Sequence, residues 1–275
     1  MKLLFHRNVV SLILLLFLSQ CFYIDNGKFF AQTKVKQGTL QVGEELLYEV
    51  SYSFIKLGTV RIKVLDKRTI NGTDVYKTIG YIDSYSGVPF VNLHQIYESS
   101  LNSDFTPLFF RGTVKDEKYH SYTEYYFDKK KASIHVKKGS VKPPKVWTDS
   151  VTSLDRPYQD GLSIFFYARN YSGSKKSENV PCFVKEEKVF TRINFYNEVE
   201  DVSIDAVDYD ISCVRLDGEM DFISIFGLTG YFEGWFSNDD ASIPIVAKMH
   251  VIIGSITLEL IEWKRQGWIP PKFKN

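Results

Sequence analysis

Histidines, cysteines and clustered carboxylates are the side chains from which this sequence could assemble a reactive centre, and their spacing fits no known arrangement. His6 lies in an N-terminal segment read below as an export signal, and His94, His120, His135 and His250 stand singly. No His-Glu-x-x-His or Cys-x-x-Cys spacing is present to hold a metal. There is no Gly-x-Ser-x-Gly elbow, no glycine loop to cradle a phosphate and no Cys-His pair at a recognisable distance. A dyad assembled from distant strands would leave no such trace. Glu198, Glu200, Asp201, Asp205, Asp208 and Asp210 offer several oxygens to a hard cation, but their spacing matches no calcium loop and reads as a solvated turn between strands. Lys137, Lys138, Lys142 and Lys145 surround Pro143-Pro144 and read as an exposed loop, with contact to anionic headgroups as the lesser reading. The sequence therefore assigns no catalytic residue, no metal ligand and no cofactor, and we expect a protein that is not an enzyme.

The remaining candidates are apolar. Tyr48, Val50, Tyr52 and Phe54 recur every second residue, as do Ile256, Leu258 and Leu260, so each set shares one face of a strand. Leu162, Phe165 and Phe166 recur at helical spacing and form a stripe able to cover such a face. These ten residues are the expected lining and lid of an apolar ligand site, with plain core packing as the alternative role for the helical stripe.

The elements that must position them are mostly strands. Alternation runs through Leu46 to Phe54, breaks over Ile55 to Gly58, resumes at Val60 to Val64, and returns after the Asn71-Gly72 turn at Val75 to Ile82. Further strand-like runs cover 108–114, 119–127, 132–136, 189–196, 209–216, 229–236, 244–253 and 255–263. Turn signals separate them at 128–131, Asp217-Gly218, 238–240 and Gly254. Gaps this short favour antiparallel neighbours. One helix is expected over 161–171, with Asp160 as its cap and Ser172-Gly173 as its stop. The fold class is therefore mostly β, a large curved antiparallel sheet resembling half a barrel with one packing helix, in a single domain over 39–275.

With 44% apolar, 24% charged and 15% aromatic residues, this is ordinary globular composition, long enough at 275 residues for a substantial core. A formal charge of +1 gives no global field for nucleic acid, and any such partner would need a local patch. Cys182 and Cys213 are expected to stay unbridged. If Glu186-Glu187 turn one hairpin, the two lie on opposite sides of the 189–196 strand, about 9 to 10 Å apart, beyond the roughly 7 Å limit for a disulfide.

Lys2 and Arg7 precede the apolar run Val9 to Leu18, which has signal-peptide length and is too short to span a bilayer comfortably. Leu18-Ser19-Gln20-Cys21 resembles a bacterial lipoprotein box in which the usual small residue before the cysteine is Gln20, making Cys21 a lipidation candidate. Ordinary cleavage after Cys21 or Ala31 is the alternative. The organisation read is a signal peptide over 1–21, a linker over 22–38 and the β domain. The location implied is the periplasm or outer membrane, with membrane association only through a lipidated Cys21.

The run Gly43 to Gly58, then Phe127-Asp128, Tyr158 to Ser163, Gly234 to Asp239, Ile243-Pro244-Ile245 and Gly254-Ser255-Ile256 follow one another as in a bacterial envelope family, domain of unknown function 3108, which the chain resembles over about residues 40 to 263. Asp208 stands where a small glycine is expected before Tyr209. The resemblance implies no activity and no catalytic residues. The closing hairpin also resembles the periplasmic carriers and receptors of the lipoprotein-localisation system, a likeness confined to the C-terminal third. Taken together, these readings point to an envelope protein binding an apolar or lipid-like ligand or a lipoprotein. The alternative is a structural or partner-binding protein with a packed core. The sequence sets no oligomeric state.

Overall fold

The computed structural model describes residues 36, 38–88, 92–115, 120–225, 227–252 and 254–274. The expected signal peptide, Cys21 and nearly all of the expected linker lie outside them. Val35–Asn275 forms one compact unit.

Among the described residues one 14-stranded antiparallel sheet accounts for every strand. The chain enters through β1 (Glu45–Tyr52), the sequence neighbour of β2 (Ile55–Ile70), and steps outward through β3 (Thr73–Ser84), β4 (His94–Asn102), β5 (Pro107–Lys115), β6 (His120–Asp128) and β7 (Ser133–Lys142) to an edge at β8 (Lys145–Ser153). Helix α1 (Ser163–Tyr171) follows. A second meander then starts at the opposite edge with β9 (Lys176–Val184). It runs inward through β10 (Glu187–Val202), β11 (Ile211–Met220), β12 (Gly230–Ser237) and β13 (Pro244–His250) to β14 (Ser255–Lys264), which pairs with β1. The sheet is curled but not closed.

Alternation explains the curl's interior. Tyr48, Val60, Ile62 and Val64 are buried on one face, while Glu45, Arg61 and Lys63 pair with one another on the other. The inner residues join Leu162, just before α1, and Phe166 within it in the main core, and Val180, Ile193, Phe195 and Leu216 form a second cluster against Ile164 and Tyr167. Asp160 Oδ1 accepts from the N–H groups of Leu162 and Ser163 at 2.7 Å each, and the Asp160 N–H donates back to Ser163 Oγ at 2.8 Å. Asp160 thus closes the turn as expected, but the helix it precedes begins at Ser163 rather than at residue 161.

Three strands escaped the sequence reading. β8 has both faces largely exposed, so it carries no burial signature. β4 buries Ser99 where an apolar residue is expected, and β9 contains Pro181, which suits an edge strand but interrupts the pattern. Several expectations are corrected. The first turn is Ser53-Phe54, not 55–58, because β2 already begins at Ile55. Asp217-Gly218 lies inside β11, where a Cβ on Gly218 would sit 2.2 Å from the Arg192 carbonyl oxygen, so glycine here serves close approach. Lys137 and Lys138 belong to β7, and Glu198, Glu200 and Asp201 to β10, rather than to loops.

Both described cysteines are free and buried. Cys182 faces Val189 and Cys213 faces Glu200, eleven positions apart along β10. They are therefore separated far more widely than the sequence argument required.

Candidate functional site

Two cavities lie inside the curl. The apolar one holds about 210 Å³ between α1 and strands of both meanders, with Tyr48, Phe165 and Leu258 in its wall. The other holds about 320 Å³ beneath β4 to β6 and the β9–β10 turn, with Tyr97, Tyr125 and Phe183 in its wall. Gly161 and Ser224 line both. A Cβ on Gly161 would lie 2.2 Å from Ile225 Cγ2, so the absence of a side chain lets Ile225 close over this point. Tyr97 fixes the same loop by donating to the Ile225 carbonyl at 3.1 Å.

The register pairs the expected lining residues one to one across β1 and β14: Tyr48 opposite Leu260, Val50 opposite Leu258 and Tyr52 opposite Ile256. Cross-strand partners share a face, so the two sets belong together as expected. Their depths differ. Tyr48 and Leu258 reach the apolar cavity. Leu260 is fully buried in the core, Val50 packs half-buried against it, and Tyr52 and Ile256 are half-buried further out. Phe54 is not a lining residue: it sits in the β1–β2 turn and is 90% exposed.

The helix divides similarly. Phe165 lines the cavity, whereas Leu162 and Phe166 are fully packed in the core. Arg169 pins the far end of α1. Its Nη1 and Nη2 donate to the two carboxylate oxygens of Glu44 at 2.6 and 3.0 Å, and Nε donates to the Ser242 carbonyl at 3.2 Å. Arg265 also pairs with Glu44. A helix held this way is a fixed wall rather than the lid that its apolar stripe suggested. Sequence reasoning missed the loop 221–229 as the cover of the cavities, although its run Phe222, Ile223, Ile225 and Leu228 is unusually apolar for a turn.

Tyr125 donates to Glu186 at 3.1 Å, and Lys138 pairs with the same carboxylate at 2.7 Å, tying β6 and β7 to the β9–β10 turn across the opening. Burial pushes the Tyr97 phenol up to about 12 and lifts Tyr48 further, so both phenols stay neutral. The Tyr48 and Ser224 hydroxyls are buried without a hydrogen-bond partner. No cluster of metal-ligating side chains occurs among the described residues.

A curled open sheet wrapped on one helix, with an apolar interior, defines a β-barrel-like class of protein. Within that class the chain belongs to the family of proteins of unknown function DUF3108, which it matches over residues 47–261. Among solved structures it is similar to a β-barrel-like protein of domain of unknown function DUF1849 from Brucella abortus, at 13% identity and a TM-score of 0.51, covering 82% of this chain and 98% of that one. That likeness extends to the fold alone. A candidate lipoprotein from Parabacteroides distasonis matches at 10% identity and a TM-score of 0.36, covering 82% and 97%. A candidate exported protein with a YmcC-like fold from Bacteroides fragilis matches at 9% and 0.34, covering 82% and 98%. No curated protein matches the sequence. The comparisons indicate no enzyme family.

Proposed function

We propose that this protein is a non-enzymatic binding protein of the cell envelope that holds an apolar chain, such as the acyl chain of a lipid or lipoprotein, between α1 and the sheet. The observation that carries this reading is the nearly all-apolar cavity walled by Tyr48, Phe165 and Leu258. Alone it is smaller than the roughly 300 to 1,000 Å³ of typical ligand sites. Displacing Ile225 from Gly161 would join it to its larger neighbour and bring the space into that range. Export through the N-terminal signal, in either its cleaved or its Cys21-lipidated form, is part of the same reading.

A partner-binding protein with a packed core is the second reading. It is favoured by the complete burial of Leu162 and Phe166 and by the anchored helix. Titration with a fluorescent fatty acid, together with native mass spectrometry for co-purified lipid, separates the two. Saturable binding that Ala168→Trp abolishes by filling the apolar cavity supports the carrier. No binding and no co-purified lipid leave the packed protein.

A further inference from the structure

In an antiparallel meander, alternate turns lie at the same end of the sheet. The end where odd-numbered strands hand over to even-numbered ones, here the distal rim, carries the turns at Ser53-Phe54, Pro143-Pro144, Lys185-Glu186 and Val251 to Gly254, and the loop 221–229. Turn tips ordinarily take Gly, Asn, Asp, Pro or Ser. The other end follows that rule at Asn71-Gly72, Ser103-Asp104, Lys129 to Lys131 and Asn238 to Asp240. The distal rim follows it at Ser86-Gly87 and Pro143-Pro144 but adds exposed apolar tips: Phe54 is 90% exposed, Ile252 104% and Ile223 48%, with Ile55 and Val251 exposed beside them.

Two of these tips are neighbours. Tyr52 pairs with Ile256, and Gly254 lies against the Tyr52 ring, which sets the Phe54 turn beside the Ile252 turn. Ile223 shares a shallow depression with Lys185. Lys142, Lys145 and Lys185 are exposed on the same rim, and none has a carboxylate within ion-pair distance among the described residues. Asp221 and Glu187 are the exposed carboxylates nearest Ile223, so charge serves to orient this rim and apolar insertion to hold it. Exposed Asp104, Asp208 and Asp240 at the opposite end would be repelled by an anionic surface.

We propose that the distal rim docks on an anionic lipid surface, with Phe54, Ile252 and Ile223 entering the boundary between headgroups and acyl chains while Lys142, Lys145 and Lys185 face the headgroups. Spaced side chains projecting singly from separate turns fit a soft lipid boundary better than a flat protein partner, whose contact would need a continuous patch. Docking this way turns the loop 221–229, and the cavities beneath it, toward the lipid. The surface does not depend on the cavity being occupied, so either reading can fail alone.

The test is co-sedimentation of the compact unit Val35–Asn275, free of the apolar N-terminal run, with phosphatidylglycerol–phosphatidylcholine vesicles and with phosphatidylcholine vesicles alone. The expected result is binding that is stronger with phosphatidylglycerol and weakened roughly tenfold or more by Phe54→Asp with Ile252→Asp. Replacing Lys142, Lys145 and Lys185 with Gln flattens its salt dependence. Ile269→Asp, also exposed but near the C-terminus, leaves binding unchanged, and the urea midpoint of each variant confirms that it folds. Absence of vesicle binding, or equal loss in the Ile269 variant, overturns the proposal. So does a lipid-free dimer that the Phe54 and Ile252 changes dissociate, because a second copy would then cover the rim.

Discussion

Arg169 grips Glu44 through both terminal nitrogens in a site where neither side chain meets solvent. The pair ties the helix to the residue just before the first strand, and Arg265 closes on the same carboxylate from beyond the last strand. Removing one member of a buried ion pair strands the other's charge, at about 3 to 5 kcal/mol. Arg169→Met is therefore expected to lower the urea unfolding free energy by that amount, whereas Lys56→Ala, which breaks a surface pair with Glu49, changes it far less. Equal effects would show that the buried network is not a fastening point.

Burial lifts the Asp160 carboxyl to about 6 from its ordinary 3.8, against the opposing pull of hydrogen bonds from Ser99, Ser163 and Leu162. A carboxyl that binds its proton more tightly when folded stabilises the fold fully below its unfolded value and loses that contribution as pH rises through the folded one. The stabilisation lost between about pH 4 and pH 7 is on the order of 3 kcal/mol. Asp160→Asn keeps a capping oxygen but cannot titrate. The unfolding free energies of the two proteins are expected to diverge as pH rises from 4.5 to 7.5, with the wild type losing more, and parallel curves would remove Asp160 from the linkage.

Phe165 and Phe166 are adjacent in sequence and opposite in consequence. Phe166 is sealed in the core, so Phe166→Ala is expected to cost about 3 to 5 kcal/mol. Phe165 borders a space already present and is half-buried, so Phe165→Ala is expected to cost clearly less while enlarging the apolar cavity. Denaturant unfolding of both variants gives the comparison directly.

Burial pushes the Cys182 thiol up to about 12, and Cys213 is raised for the same reason. Neither is then a thiolate near neutral pH, and neither is accessible. A thiol reagent is expected to leave both unmodified in the folded protein and to label both in urea, with no mass change on reduction beforehand.

That Tyr48 and Val50 share one face, and Leu258 and Leu260 another set facing the same interior, was legible because a period of two assigns each residue to a face; that their strands pair with one another was not. What lay beyond that period was harder to read. Phe54 continues the alternation arithmetically, yet the chain has already turned, since Ser53 adopts a positive φ of 54°. β8 has no buried face for a period to report. The Glu44–Arg169 contact joins residues distant in sequence, and no local pattern marks either as buried. The helical stripe was correctly apolar, but whether such a stripe is a lid or a wall depends on what holds its other end.

The seam between β1 and β14 sets Glu45 against Lys264, so the middle of the sheet is made from the two ends of the domain. Each meander can zip up from contacts close in sequence, but the line that unites them must wait for the last strand to be synthesised. Until then β1 presents an unpaired edge rich in Leu, Val and Tyr, the kind that recruits other chains. Losing β14 would cut the sheet at its centre rather than trim its border. The nascent chain thus passes through a vulnerable interval that only completion ends, and partial copies of this protein are expected to aggregate rather than persist as a smaller sheet.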